Sequence, residues 1–397
     1  MGKRREYWLL AATALIASVG LIGRFIVEEP PDRLRGRALE SFRTGRWEIV
    51  EASLMRIERR GAARSEDRLL RGRAARALGK IDEAISCWSK IVAGDPFEAE
   101  ACWLIGESEA SRFRLRRAEA ILLRAAELAP SRPEPHFHLA KLYAIEFRRK
   151  AFDDRMRRMM ACSHLKFLQI TFWCQIDYSI WDPPRFLRAW AKALESDPAD
   201  RAARLAFAEG LRRLDDRDRA LSILEPLGLA DPDASALRAR IAVEQGQIDR
   251  AEAILKSIPD GHFVGEMTRG RIARLRGNLE DAVRRFRSAY AADPDDRDAI
   301  TELGLALGAA GKIDESRKLM SLSYNCDQIL FMLKDMPIDR EPDVDFLERL
   351  GRRCEAVGRR EQALACYRLA LDKAPLDPGF HEAIFRVVNA EPIRNKK

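Results

Sequence analysis

The sequence lacks the residue patterns of a metal site or a disulfide framework. Its seven cysteines include no CxxC pair and keep no regular spacing with the five histidines. Structural zinc sites and small disulfide-stapled domains both depend on such spacings. Cys87, Cys102 and Cys366 fall among apolar neighbours, where a free cysteine behaves as a small buried hydrophobe. We therefore expect no metal, no cofactor and no disulfide framework.

Catalytic motifs are also missing. The sequence contains no Walker loop, GxGxxG, GxSxG, HExxH or protein-kinase motif set. His136 and His138 are two residues apart, so on one helix they point to different sides and cannot chelate together. Asp215 and Asp216 fall in a predicted turn, where capping is their expected role. We predict that the chain has no catalytic residues, is not an enzyme and has no small-molecule substrate.

A large excess of one charge is absent from most of the chain. The formal net charge is +8, and residues 1–27 supply three of these charges, with four basic side chains against one acidic. The other 370 residues mix 66 basic with 61 acidic side chains. This balance does not require a nucleic-acid partner, and none is expected. Basic pairs such as Arg212-Arg213 and Arg359-Arg360 keep a helical-repeat nucleic-acid-binding protein as the alternative.

One apolar run near the N-terminus predicts a membrane anchor. Residues 7–27 are apolar apart from Arg24 and would extend about 30 Å as a helix, enough to cross a bilayer once. The basic residues 3–5 favour a cytoplasmic N-terminus, with the rest of the chain on the exported side. Basic residues on the other flank and seven cysteines argue for the opposite orientation. A cleaved signal peptide ending near Gly20 is the rival interpretation.

Proline and glycine recur with a fixed period in the rest of the chain. Prolines that follow Asp or Ala recur at 96, 130, 198, 232, 294 and 375, and the first four lie at intervals of 34, 68 and 34 residues. Glycines recur in predicted first helices, each twelve residues before a small residue of the next helix: Gly72, Gly106, Gly270, Gly304 and Gly351, with Ala84, Ala118, Ala282, Ser316 and Ala363. Paired helices can nearly touch only where side chains are this small. The period therefore predicts successive helical hairpins.

The turns and second helices carry matching features. Gly79, Gly277, Gly311 and Gly358 fall in predicted turns as helix C-caps. Acidic residues then open the second helix, and a bulky residue at Trp88, Phe286 or Tyr367 is expected to pack against the next hairpin. The 34-residue unit resembles the tetratricopeptide repeat family. The resemblance covers residues 31 to about 390, with its best copies at 65–98, 99–132, 263–296 and 344–377.

The resemblance implies an all-α fold, a right-handed superhelical solenoid of about ten helix-turn-helix repeats after one N-terminal transmembrane helix. Residues 147–184 lack the small positions and read as eroded hairpins. The predicted domains are these: 1–6 basic N-terminus, 7–27 transmembrane anchor, 31–146 N-terminal repeats, 147–200 degenerate aromatic-rich repeats, 201–325 central repeats, 326–343 connecting insertion, and 344–397 C-terminal repeat with capping helix.

The family grips extended peptides or partner helices in a groove lined by first helices, so the resemblance implies protein binding. Projection onto that groove selects six cations, beside Glu107 and Glu209: Arg73, Arg76, Lys141, Arg212, Arg271 and Arg274. Guanidinium groups suit acidic segments, although a solvated charged face explains the same residues. The family's carboxylate clamp is not matched, because Asn occurs only at 278, 325, 389 and 395.

The aromatic residues between Phe167 and Trp190 suit either an interface or the repacked core of an eroded repeat. The sequence as a whole predicts a non-enzymatic, membrane-tethered scaffold that binds proteins or extended peptides, including acidic ones. A non-catalytic subunit of an envelope enzyme complex is a further alternative.

Overall fold

The computed structural model describes residues 29–175, 183–334, 336 and 341–390, and of residues 183–185 the backbone alone. All regular secondary structure in these residues is helical. The first seven helices are α1 Pro31–Arg43, α2 Trp47–Arg59, α3 Ser65–Ala77, α4 Ile81–Ser89, α5 Glu98–Ser111, α6 Leu115–Leu128 and α7 Pro133–Ile145. The next seven are α8 Arg149–Cys162, α9 Phe167–Gln175, α10 Pro183–Ser196, α11 Arg201–Arg213, α12 Arg217–Leu224, α13 Pro232–Glu244 and α14 Ile248–Leu255. The last seven are α15 Phe263–Leu275, α16 Leu279–Ala292, α17 Arg297–Ala309, α18 Ile313–Lys334, α19 Val344–Ala356, α20 Arg360–Lys373 and α21 Pro378–Asn389.

The chain forms two compact units, residues 1–105 and 106–397, divided within α5. In the first unit, α1 packs on α2 and α3 packs on α4. In the second unit, α7–α8, α11–α12, α13–α14, α15–α16, α17–α18 and α19–α20 form successive pairs. The predicted all-α repeat architecture is therefore confirmed. The 22 residues of α18 run nine residues into the segment expected to be a connecting insertion.

A glycine and a large side chain sixteen residues later hold each regular pair together. An added Cβ at Gly270 would lie 2.6 Å from the Phe286 ring, and one at Gly106 would lie 2.6 Å from Leu122. The same spacing joins Gly72 to Trp88, Gly304 to Met320 and Gly351 to Tyr367. Phe286 is fully buried. The bulky residue thus fills the glycine position of its own pair, whereas the sequence suggested packing against the next hairpin.

The turns within the pairs use a left-handed backbone residue. Gly277 has φ 73° between α15 and α16, and glycine reaches this region without the steric cost that a Cβ adds. Phe113, Phe147 and Asp215 take positive φ between the helices of other pairs, at 61°, 53° and 68°. The turn geometry therefore persists in repeats that have lost the glycine.

The eroded segment packs on helices far along the chain. In the second unit, α9 contacts α18 and α20. Arg359 is buried and donates hydrogen bonds to the carbonyl oxygens of Cys174, at 3.4 Å, and Asp295, at 3.3 Å. Arg149 donates to the same Asp295 oxygen at 2.8 Å. Residues 149–175 thus connect helices that lie more than a hundred residues later in the sequence.

The membrane assignment requires correction. Across the residues that the structure describes, no helix is both long enough and apolar enough to cross a bilayer. The longest, α18, carries Asp314, Glu315, Arg317, Lys318, Asp327 and Lys334, and such charges are costly in hydrocarbon. The predicted single-pass membrane location, with an exported repeat body, is therefore wrong. The predicted anchor itself, residues 7–27, lies outside the described residues.

Candidate binding cleft

A cleft of about 1070 Å³ opens in the second unit, and its lining comes from successive first helices. α11, α13 and α15 supply apolar side chains to it, including Leu205, Leu237 and Met267. The turn before α8 adds Phe147, whose ring lies 4.5 Å from the Arg213 guanidinium. Apolar side chains between charged rows allow both burial and hydrogen bonding of a ligand.

The formal charge of the cleft lining balances, with eight basic and eight acidic residues. The basic residues are Arg116, Arg148, Arg149, Arg201, Arg212, Arg213, Arg240 and Arg297. The acidic residues are Glu146, Asp197, Asp200, Glu209, Asp233, Asp293, Asp296 and Asp298. The cleft as a whole therefore does not attract a polyanion by net charge.

Some charges at the ends of the first helices follow the helix dipole. Asp200 and Asp296 cap α11 and α17 by accepting hydrogen bonds from the backbone N–H of Ala203 and Ala299, at 3.0 and 2.8 Å. Arg212 and Arg213 lie in the last turn of α11. Acidic groups are favoured at the positive N-terminus of a helix and cations at its C-terminus. The N-terminal ends nevertheless carry both signs, because Arg201 and Arg297 begin α11 and α17 and Arg116 donates to Asp200 at 3.0 Å. We call the part formed by the C-terminal halves of α11, α13 and α15 the basic side of the cleft.

Three of the predicted groove cations lie on the basic side or next to it. Arg212 binds Glu209 at 2.8 Å and Glu244 of the next first helix at 2.7 Å. Arg271 and Arg274 both contact Glu302 of α17, at 3.0 and 2.7 Å. These arginines therefore join successive first helices by ion pairs, which the sequence projection did not anticipate.

Glu209 is held ionised by its surroundings. Burial alone would raise the pKa of this carboxyl, but the hydrogen bond from Arg212 and the charges of Arg212, Arg213 and Arg240 lower it to about 2. Burial likewise opposes the charge of Arg212, whereas its bonds to Glu209 and Glu244 raise the pKa of Arg212 above its ordinary value. Both groups are charged at neutral pH.

The other predicted cations lie elsewhere. Arg73 and Arg76 belong to α3 of the first unit, and Arg73 forms an ion pair with Glu100. Lys141 lies in α7 of the second unit, with its ammonium 4.9 Å from the centre of the Phe137 ring. None of these three lines the cleft. Of the six predicted cations, Arg212 alone is among the residues that line this cleft.

Arg240 lines the cleft, and the sequence projection missed it. It follows Ala239, a fully buried residue of α13, as Arg271 follows Gly270 and Arg73 follows Gly72. Alanine occupies the position where the other repeats have glycine, so a search for glycine could not set the phase of this helix. Counting from the cap at Asp231 would have found it, because Arg240 and Arg271 are each the ninth residue of their helices.

The aromatic segment forms core in the part that the structure describes. Trp173 and Trp190 are buried, and Phe172 packs edge-on against Phe152 at 5.2 Å. Phe167 contacts Phe346 of α19 at 5.8 Å. Tyr178 and Trp181 lie outside the described residues. These contacts match the repacked-core interpretation and assign the aromatic residues no direct role in the cleft.

Comparison with known families adds one decisive finding. Residues 69–133 and 267–327 match a tetratricopeptide repeat family model. These two segments, about a third of the chain, are similar to tetratricopeptide repeats. The two matched segments include the glycine positions Gly72, Gly106, Gly270 and Gly304 and their large partners. Proteins built from this repeat are generally non-catalytic scaffolds, and the matches include no enzyme family.

Solved structures with similar helical repeats share little sequence with this chain. The Cut9–Hcn1 hetero-tetramer of APC/C is 13% identical over 92% of this chain and 91% of that chain, with a TM-score of 0.31. A human IFIT1 dimer with PPP-AAAA is 16% identical over 86% and 89%, with a TM-score of 0.35. The C-terminal part of a repeat protein from Cytophaga hutchinsonii is 14% identical over 68% and 99%, with a TM-score of 0.33. At TM-scores below 0.5, these likenesses do not bear on function. No curated protein matches the sequence.

Proposed function

We propose that this tetratricopeptide-repeat chain is a non-catalytic protein-interaction scaffold that holds an extended segment of a partner protein in the cleft of residues 106–397. The observation that carries the proposal is the cleft lining, in which α11, α13 and α15 present apolar side chains among equal numbers of acidic and basic groups. Stacked helical repeats create extended concave surfaces of this kind.

The balanced lining favours a protein segment over a nucleic acid. Nucleic-acid affinity comes mainly from cations that neutralise phosphates and release counterions. Here eight acidic groups offset eight arginines, and they would repel a phosphate backbone. A polypeptide can place side chains of both signs against these groups.

Peptide display on the full-length chain tests this proposal. A random library of twelve-residue peptides is selected, and enriched peptides are then measured against Ala202→Trp, which narrows the cleft. The control is Ala291→Trp, at an exposed position of α16 that does not line the cleft. We expect Ala202→Trp to weaken binding at least tenfold and the control to leave it unchanged. Equal binding by both variants would place the peptide site elsewhere, and the cleft proposal would fail.

A further inference from the structure

The basic side of the cleft carries more arginines than carboxylates. Six ion-paired guanidiniums lie in the C-terminal halves of α11, α13 and α15 and at the start of α12: Arg212, Arg213, Arg217, Arg240, Arg271 and Arg274. The carboxylates that contact them are Glu209, Asp215, Glu244 and Glu302. Six against four leaves two positive charges without a carboxylate of their own in this part of the described structure.

The nearby carboxylate oxygens are already engaged. Both oxygens of Glu209 accept hydrogen bonds from Arg212, and one also accepts from Arg213 at 2.7 Å. Glu244 Oε1 accepts from Arg212 at 2.7 Å, and the same oxygen lies 3.5 Å from the Arg240 Nε. Arg240 therefore meets only an acceptor that a closer arginine already occupies.

Arg240 is the least satisfied member of this group. Its Nε is buried and has no hydrogen-bond partner, and its side chain is 19% exposed. Burial lowers the pKa of Arg240 below its usual value; the charge of Glu209 opposes the decrease, those of Arg212 and Arg271 add to it, and that of Glu244 opposes it. A buried guanidinium with an unmade hydrogen bond destabilises the fold unless an anion pairs with it. Such a group at the wall of an open cleft points to a ligand that supplies the anion.

We propose that Arg240, with Arg212 and Arg271 beside it, binds an Asp or Glu carboxylate in the segment that occupies the cleft. This inference rests on the proposed function and adds the chemistry of the ligand. A planar guanidinium matches a carboxylate through two parallel N–H donors. Because the lining carries as many carboxylates as arginines, a polyanion does not fit, and the segment carries an isolated carboxylate among basic or apolar residues.

The test compares enriched display peptides with their Glu→Gln or Asp→Asn twins on four forms of the full-length chain: wild type, Arg240→Gln, Arg240→Lys and Arg284→Gln. Arg284 is the matched control, because it is 71% exposed on α16 and does not line the cleft. We expect Arg240→Gln to lose at least tenfold in affinity for the acidic peptide, about the value of one charge-assisted hydrogen bond. Arg240→Lys keeps the positive charge but lacks the two parallel N–H donors of a guanidinium, so its affinity for the acidic peptide should lie between those of wild type and Arg240→Gln.

Two further readouts separate binding from structure. The amide twins should bind wild type weakly and show no further loss with Arg240→Gln. Because the buried Arg240 Nε has no hydrogen-bond partner and its ion pair with Glu244 is 3.5 Å long, the Tm of Arg240→Gln should equal or exceed that of wild type. A lower Tm together with unchanged peptide affinity would assign Arg240 a structural role and overturn the inference.

The remaining outcomes distinguish this inference from the proposed function. Enriched peptides without acidic residues that bind Arg240→Gln as tightly as wild type would overturn the carboxylate site and leave the cleft function standing. If no peptide is enriched, while a single-stranded RNA oligonucleotide binds with a steep dependence on salt that Arg240→Gln reduces, both proposals fail in favour of nucleic acid. Failure of peptide and RNA alike would also contradict both.

Discussion

The α15–α16 pair and the α8–α9 segment solve the same packing problem differently. In the first, Gly270 lets the Phe286 ring fill the space between two neighbouring helices, so the core is local. In the second, no glycine is present, and α9 packs on α18 and α20. Its Phe167 contacts Phe346 of α19, and its Cys174 carbonyl accepts a hydrogen bond from Arg359, just before α20. Loss of the small position thus replaces a local contact with a long-range one. The following substitutions test this difference between the two regions.

The largest effect is expected from Phe286→Ala in the regular pair. The ring is fully buried, and its loss leaves a cavity beside Gly270. Truncation of a buried phenylalanine lowers the free energy of unfolding by about 3–5 kcal/mol. Urea denaturation followed by circular dichroism measures the change. A loss below about 1 kcal/mol would show that the ring is not the anchor of this pair.

Arg359→Met should come next and act on the eroded segment. It removes the hydrogen bonds to the carbonyl oxygens of Cys174 and Asp295. Hydrogen bonds to charged groups contribute about 1.5–3 kcal/mol each, and methionine recovers part of the packing, so we expect a loss of about 2 kcal/mol. Hydrogen exchange should rise in α9 while α15 and α16 stay protected. Equal loosening of both regions would contradict the distinction drawn between them.

Gly270→Ala is expected to lower the free energy of unfolding by about 1–2 kcal/mol, because its Cβ would overlap the Phe286 ring. Gly36 provides the matched control, since it lies in α1 and an added Cβ there meets nothing within 4 Å. Gly36→Ala should instead gain about 0.5–1 kcal/mol from helix propensity. In a Phe286→Ala background, the cost of Gly270→Ala should disappear; a persistent cost would point to another clash.

The smallest effect is expected from Asp372→Asn. Asp372 pairs with His164 at 2.9 Å, and both side chains are about half exposed. Exposed ion pairs contribute about 0–1 kcal/mol to the free energy of unfolding. The Tm measured by thermal unfolding should therefore fall by no more than about one or two degrees. A loss as large as that of Arg359→Met would mean that surface charge holds the eroded segment in place.

The regular repeats could be predicted from the sequence because their contacts have a fixed spacing. Gly270 with Phe286 and the turn at Gly277 repeat a pattern that neighbouring copies share, and each contact spans fewer than twenty residues. The pairs were therefore predicted with their helices and turns. The partner of the large residue was wrong, because the spacing alone does not say which side of the second helix faces inward.

The long-range contacts left no periodic pattern to read. Nothing in the spacing of Cys174, Asp295 and Arg359 indicates that they meet, because each lies in a different repeat. The groove cations were chosen by phase alone, which cannot show that Arg212 and Arg271 already have carboxylate partners. Arg240 was missed because alanine replaced glycine in its helix, although counting from the helix cap would have recovered it.

Site-specific photocrosslinking tests directly whether a peptide binds in the cleft. A photoreactive phenylalanine analogue is placed at Leu205, in the cleft, or at Ala291, on the exposed side of α16, and the full-length chain is irradiated with an enriched peptide. If the peptide binds in the cleft, we expect a covalent adduct from position 205 that unlabelled peptide prevents by competition, and no adduct from position 291. Adduct formation from position 291 alone would contradict it.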